Sequence, residues 1–236
     1  VQELFKRSAD SYDRINTVIS LGLDRRWREW VAQQATVRPG ARVLDAFAGT
    51  GRVGLRAAQA GAQVTLADFS PQMLSEAALE ARRLDLPVGF LLTDLAADDL
   101  QLAKCAYDAV TVSFGVRYLQ DPSGVLRRIA ESLADKGRLI VLEFVKPRPG
   151  PISAIAGAYF FRVLPFVATA LGGKRELYDT LVSTTARIHG PEGLEAIVAN
   201  AGLRVVEVRV MGFGIVVGIV AERVSACARS GEPTSA

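Results

Sequence analysis

The chain has 236 residues, 50% apolar and 22% charged, which suits one globular domain with a sizeable core and excludes a disordered chain. A net charge of +3 and a pI near 9.0 are too mild to indicate nucleic acid. The two cysteines, Cys105 and Cys227, are far apart and make no metal or disulfide pattern, and the N-terminus lacks an apolar signal-peptide core, so a reducing, cytoplasmic setting is expected.

Residues 3–34 place Leu4, Phe5, Tyr12, Ile15, Ile19, Leu23, Trp27 and Trp30 at three- and four-residue steps, which predicts a helical cover over 1–37, broken near Gly22. Strands are predicted over 41–47, 63–69, 88–94 and 107–114, alternating with helices over 52–60 and 71–85. A helix over 122–135 leads to a strand over 137–144. Such alternation of short apolar strands with helices implies a parallel sheet covered on both faces.

The pattern then changes. Residues 150–173 are an apolar insert, and 150–200 is expected to form a helical lid. Arg162 lies inside its longest apolar run and Pro165 follows, so 152–171 reads as short helices and not as a membrane span. Strands at 203–210 and 215–224 meet through Met211-Gly212-Phe213-Gly214, a hairpin. The sum is a single α/β domain over 1–224, a doubly wound, seven-stranded, mostly parallel Rossmann-like sheet, with a disordered tail over 225–236.

Asp45, Asp68 and Asp94 fall at the ends of the first three predicted strands, where ligands of open α/β sheets bind. The first is followed by Ala46-Phe47-Ala48-Gly49-Thr50-Gly51, a glycine turn opening a helix whose free amides suit a carboxylate. A nucleoside carrying a carboxylate and a positive charge fits this set, and S-adenosylmethionine (SAM) is such a ligand. Asp45 would face the cation, Asp68 the ribose hydroxyls and Asp94 the adenine amine, with Phe69 or Leu95 on the base. Met73, Thr93, Ser113, Phe114 and Tyr12 are the further cofactor candidates, and no metal site is expected. Gly49-x-Gly51-x-x-Gly54 also spells the nicotinamide-dinucleotide fingerprint. That reading ranks lower, because an acid before the loop would face a diphosphate.

Several segments resemble the ubiquinone/menaquinone biosynthesis C-methyltransferases, the UbiE family. They are Tyr12-Asp13-Arg14-Ile15-Asn16 with Ser20 and Trp27, Ser113-Phe114-Gly115-Val116-Arg117, Asp121 with Gly137-Arg138-Leu139 and Leu142-Glu143-Phe144, Tyr159 to Pro165, and Tyr178 with Leu181. The resemblance runs over about 3–222. It implies a SAM-dependent methyltransferase fold and transfer of a methyl group to a ring carbon of a polyprenyl quinol, a small-molecule aromatic substrate. The chain departs from the family pattern at Asp24 (His in the family), Tyr118 (Asn), Thr180 (Tyr), Val145 (Ser) and Phe47 (a small residue). Two alternatives stay open: another phenolic, lipid or secondary-metabolite acceptor, or a SAM-binding paralogue without catalysis.

On this reading Arg117, just past the fourth strand, stabilises the acceptor phenolate, since a guanidinium is a poor base. Its structural alternative is a partner of Asp121 or of a helix end. The base would be Asp24, Tyr118, Tyr178 or a water they hold. His189, the sole histidine, reads as a loop residue. The apolar insert, flanked by Arg148, Lys174 and Arg175, suits a prenyl tail or a membrane surface, with a lid or a homodimer face as the bland alternatives.

Overall fold

The computed structural model describes residues 20, 22–151, 157–159, 163, 169 and 175–224, with backbone alone for 175–179. Tyr12, most of the N-terminal cover, most of the insert, the side chain of Tyr178 and the tail lie outside that set.

Helix α1 spans Leu23–Ala35. It begins after Gly22, which sits at φ 75°, so the break expected near Gly22 marks a helix start. Trp27, Trp30, Val31, Ala32 and Ala35 form its buried stripe, at the three- and four-residue spacing of one helical face. The Trp30 ring occupies the space a side chain would need at Gly218, which fixes α1 against the sheet. Then follow β1 (Arg42–Ala46), α2 (Arg52–Gln59), β2 (Gln63–Asp68), α3 (Pro71–Arg83), β3 (Val88–Leu92) and β4 (Tyr107–Ser113). Helix α3 starts where the sequence marks it: Ser70 accepts from the Met73 amide at 3.3 Å and Pro71 takes the first helical position.

Helix α4 covers Pro122–Ala130 and β5 covers Leu133–Phe144, so the predicted helix over 122–135 runs too long. Strand β5 begins opposite Tyr107, and its pairing with β4 then jumps from Leu133 to Arg138. Lys136 adopts φ 60° inside that irregularity. The local helical propensity of Leu133–Asp135 is overridden by pairing with β4. Helices α5 (Arg175–Thr185) and α6 (Gly190–Asn200) precede β6 (Leu203–Met211) and β7 (Val216–Arg223).

The sheet order is β3-β2-β1-β4-β5-β7-β6. The first five strands are mutually parallel, and β7 is antiparallel to both β5 and β6. Central strands read as continuous apolar runs because both faces are covered. One apolar cluster packs α4 and α6 on one face, around Leu126, Ile129, Leu194 and Val198. The other packs α1, α2 and α3 on the opposite face, around Trp30, Val31, Leu55 and Ala77. The seven-stranded, doubly wound expectation is met, hairpin included.

Cys227 lies outside the described residues. Among the described residues no helix is long and apolar enough to cross a membrane, and no cluster of His, Cys, Asp and Glu suits a metal ion.

Candidate nucleoside and acceptor site

The strand register arranges the three acids as a staircase. Asp45 pairs with Leu66, two residues before Asp68, and Asp68 pairs with Leu92, two residues before Asp94. With a side-chain period of two, the three carboxylates share one face and step outward. Burial follows the steps: Asp45 is 2% exposed, Asp68 is 6% exposed and Asp94 is exposed.

The lowest step is tied into the fold by both of its oxygens. Asp45 Oδ2 accepts from the Gly54 amide at 2.9 Å, and Oδ1 accepts from Thr111 Oγ1 at 2.6 Å. Burial pushes its carboxyl up to about 6, against the pull of those two hydrogen bonds. Asp45 thus braces the first turn of α2 against β4 from beneath. The physical reason is register: β1 ends at Ala46, one residue beyond Asp45, so the acid lies inside the sheet. The objection to a dinucleotide based on an acid facing a diphosphate therefore falls, and topology and family must decide instead.

Asp68 stands at the tip of β2. Its Oδ2 accepts from the Gly49 amide at 2.8 Å, and Oδ1 from the Ser70 amide at 2.9 Å. Burial raises its pKa, against the backbone hydrogen bonds that lower it. The Gly49 contact draws the glycine loop onto the end of β2, while Thr93 N–H donates to Asp68 O at 3.0 Å and draws in the end of β3. Gly51 takes φ 76°, and a β-carbon there would lie 2.9 Å from Leu66 Cδ1, so the loop needs glycine for both turn and approach. Asp94 Oδ1 accepts from Ala96 N–H at 2.9 Å in an exposed turn.

Of the other cofactor candidates, Thr50, Phe69, Thr93, Ser113 and Phe114 are half-buried around this edge. Ala46 and Met73 are buried beneath it, and Leu95, 1% exposed, sits in the core and is not available to stack on a base. Ser113 Oγ is buried without a hydrogen-bond partner at the end of β4. A polar atom awaiting a partner, two acids at successive strand ends and a glycine turn before α2 fit an adenosine ligand with a polar tail.

The acceptor side is built on the turn after β4. Phe114 has φ 59° and Phe47, in the loop after β1, has φ 57°, both left-handed conformations unusual for aromatic residues. A β-carbon at Gly115 would come within 3.1 Å of Phe47, so the two loops touch. Phe114 stacks on Phe144 at 4.7 Å between centroids, and Trp27 meets Phe144 edge-on at 6.3 Å.

Arg117 is 2% exposed, and its guanidinium is ion-paired with Glu143. It also donates to Phe114 O at 2.9 Å and to Tyr118 Oη at 3.0 Å. The structure thus gives Arg117 a buried carboxylate partner. That partner is not Asp121, which instead caps α4 by accepting from Gly124 N–H at 2.9 Å. Asp24 is buried as well, held by Arg52 at 3.3 Å, Arg28 at 3.8 Å and the Ser20 hydroxyl at 3.1 Å. Arg28 also lies over the Phe114 ring at 5.2 Å. Sequence reading missed Arg28, Thr111 and the partnership of Glu143. Arg28 carried a signal, since it follows Asp24 by one turn of an amphipathic helix. Glu143 carried one as well, an acid in an otherwise apolar strand end and part of the resembling segment Leu142-Glu143-Phe144, whereas Thr111 gave none.

The sequence model of the ubiE/COQ5 methyltransferase family matches residues 1–222. The chain belongs to this family. As a member it is a SAM-dependent methyltransferase, and the SAM expectation holds. It is 36% identical over 222 residues to a demethylmenaquinone methyltransferase of Thermus thermophilus, covering 93% of this chain and 100% of that one. It is 30% identical over 207 residues to the ubiquinone/menaquinone biosynthesis C-methyltransferase UbiE of Geotalea uraniireducens, covering 86% and 88%. Among solved structures, a SAM-dependent methyltransferase from Aquifex aeolicus superposes with a TM-score of 0.60 at 18% identity, covering 84% and 89%. The magnesium protoporphyrin IX methyltransferase of Synechocystis with bound SAH superposes at 0.56 and 23% identity, covering 93% and 85%. These last two likenesses speak for the fold.

Proposed function

We propose that this methyltransferase acts on a ring carbon of a polyprenyl quinol, of the demethylmenaquinol or ubiquinol-precursor type. The observation that carries the reading is an aromatic wall, Phe114 stacked on Phe144, on the turn that touches the glycine-rich loop through Gly115 and Phe47. A flat ring held there would lie at the methyl end of the cofactor site, and relatives matched over 93% and 86% of this chain bear the names of quinone-pathway enzymes.

SAM would supply an electrophilic methyl group on a sulfonium: the ring carbon of an ionised quinol takes the methyl as the methyl–sulfur bond breaks, S-adenosylhomocysteine leaves, and the displaced ring proton passes to water. The chain's residues then divide the remaining work. Asp68, with acceptor capacity left on both oxygens, takes the ribose hydroxyls. Asp94 takes the adenine amine, with Phe69 on the base. Gly49 to Gly51, Ser113 Oγ and Arg28 receive the amino-acid end, where Arg28 supplies the cation for the carboxylate. Asp24 holds Arg28 and Arg52 in place and serves as no base. Helix α5, packed on the Val116–Tyr118 turn, covers the acceptor. Rate enhancement comes chiefly from holding ring and methyl group in line and from stabilising the phenolate.

A second reading, another phenolic acceptor on the same site, is favoured by Tyr118, which stands where the resemblance expects Asn. One assay separates the two. Labelled SAM is given with a short-tailed demethylmenaquinol kept reduced in detergent. Label at the ring carbon supports the quinol reading. No incorporation, with SAM still bound, overturns it in favour of other phenols.

A further inference from the structure

We propose that Glu143 is a positioning residue of the acceptor site, holding Arg117 so that the Tyr118 hydroxyl is set to donate to the acceptor oxygen. This rests on the reading of the acceptor as a phenol. Glu143 is fully buried one residue before the end of β5. Its carboxylate accepts from Phe144 N–H at 2.7 Å and Arg117 N–H at 3.2 Å, besides the Arg117 guanidinium. A buried ion pair of this kind gives no more stability than well-packed apolar residues of the same volume, because desolvation cancels most of the attraction. Fold stability alone therefore does not account for it.

What the pair fixes is geometry. Arg117 is gripped through backbone and side chain at once, so the turn Phe114–Tyr118 is tied to the end of β5. The guanidinium then faces the Tyr118 ring at 4.4 Å and donates to its oxygen at 3.0 Å. An O–H whose oxygen accepts from a cation is a stronger donor in turn. Tyr118 is half-buried at a junction. The nucleoside loop reaches its turn through Phe47 and Gly115, helix α5 packs on the turn, and Arg187 donates to Arg117 O at 3.4 Å. In this arrangement Arg117 pairs with Glu143 and polarises Tyr118, and Tyr118 makes the contact with substrate.

The test uses Glu143→Gln, Tyr118→Phe and their combination in the full chain. Glu143→Gln keeps volume and removes the charge, and Tyr118→Phe leaves the buried pair intact. Both single variants are expected to lower kcat at least tenfold with SAM Kd within about twofold. The double variant is expected to be no slower than Tyr118→Phe. Independent losses that multiply, an unchanged kcat, or SAM binding lost in step with kcat overturns the proposal. An acceptor-independent readout accompanies this: the Cζ resonance of Tyr118 in tyrosine-labelled protein, assigned through Tyr118→Phe. It is expected to move in Glu143→Gln, and no movement overturns the proposal even if another phenol replaces the quinol. Wild type that binds SAM but leaves the quinol unmethylated overturns the substrate reading alone.

Discussion

Thr111 Oγ1 donates to Asp45 Oδ1 at 2.6 Å, and through this bond β4 and the start of α2 meet on one buried carboxylate. Thr111→Val keeps the shape and removes the donor. A buried acceptor deprived of a partner costs about 1–3 kcal/mol. Urea unfolding should show a loss of that size, with SAM affinity reduced less than stability.

The same carboxylate makes stability depend on pH. Its pKa is about 6 in the folded chain against an ordinary 3.8, because burial penalises the charge. Between these values the folded chain holds more of this proton than the unfolded one. Stability contributed by Asp45 is therefore full below about pH 4, falls as pH rises to about 6, and is level above that, a change of about 3 kcal/mol. Asp68, also raised by burial, adds in the same sense. Unfolding free energy measured from pH 4 to 7 should fall less steeply in Asp45→Asn than in wild type.

Asp68 is the acid expected to hold the ribose. Asp68→Ala removes two charge-assisted acceptors and releases the Gly49 amide that anchors the loop. At about 1.5–3 kcal/mol for a hydrogen bond to a charged group, SAM should bind about 10- to 100-fold more weakly by calorimetry. Unchanged affinity would move the ribose elsewhere.

Arg28 is expected to meet the ligand carboxylate. Arg28→Ala should weaken S-adenosylhomocysteine about tenfold and leave 5′-methylthioadenosine, which has no carboxylate, unaffected. Equal weakening of both would assign Arg28 to the packing of Phe114 instead.

Gly54 lies where α2 crosses β2. A β-carbon there would overlap Leu66 Cδ2 and stand 3.0 Å from both Asp45 Oδ2 and Val64 Cγ1. Gly54→Ala gains about 1 kcal/mol in helix propensity and loses about 1–3 in overpacking. A lower melting temperature is the expected balance.

The alternation of apolar strands with capped helices made the sheet legible, because a parallel strand covered on both faces has to be apolar throughout and Ser70-Pro71 marks a helix start locally. The hairpin around Gly212 was legible from its glycine-containing turn between two β-branched runs. Helix α4 was overrun because Leu133–Asp135 reads as helix in isolation, and pairing with β4, over twenty residues away, pulls it into β5. The acids Asp68 and Asp94 were legible as strand-end residues.

The sequence by itself determined that three acids fall at or near the ends of three strands and that a glycine turn opens the second helix, since these are local facts of spacing. Tertiary structure decided what each acid does. Register, a property of two strands at once, put Asp45 two residues deeper than Asp68 and made it a brace. It likewise gave Arg117 to Glu143, 26 residues on, because the ends of β4 and β5 lie side by side and a buried guanidinium must find a carboxylate.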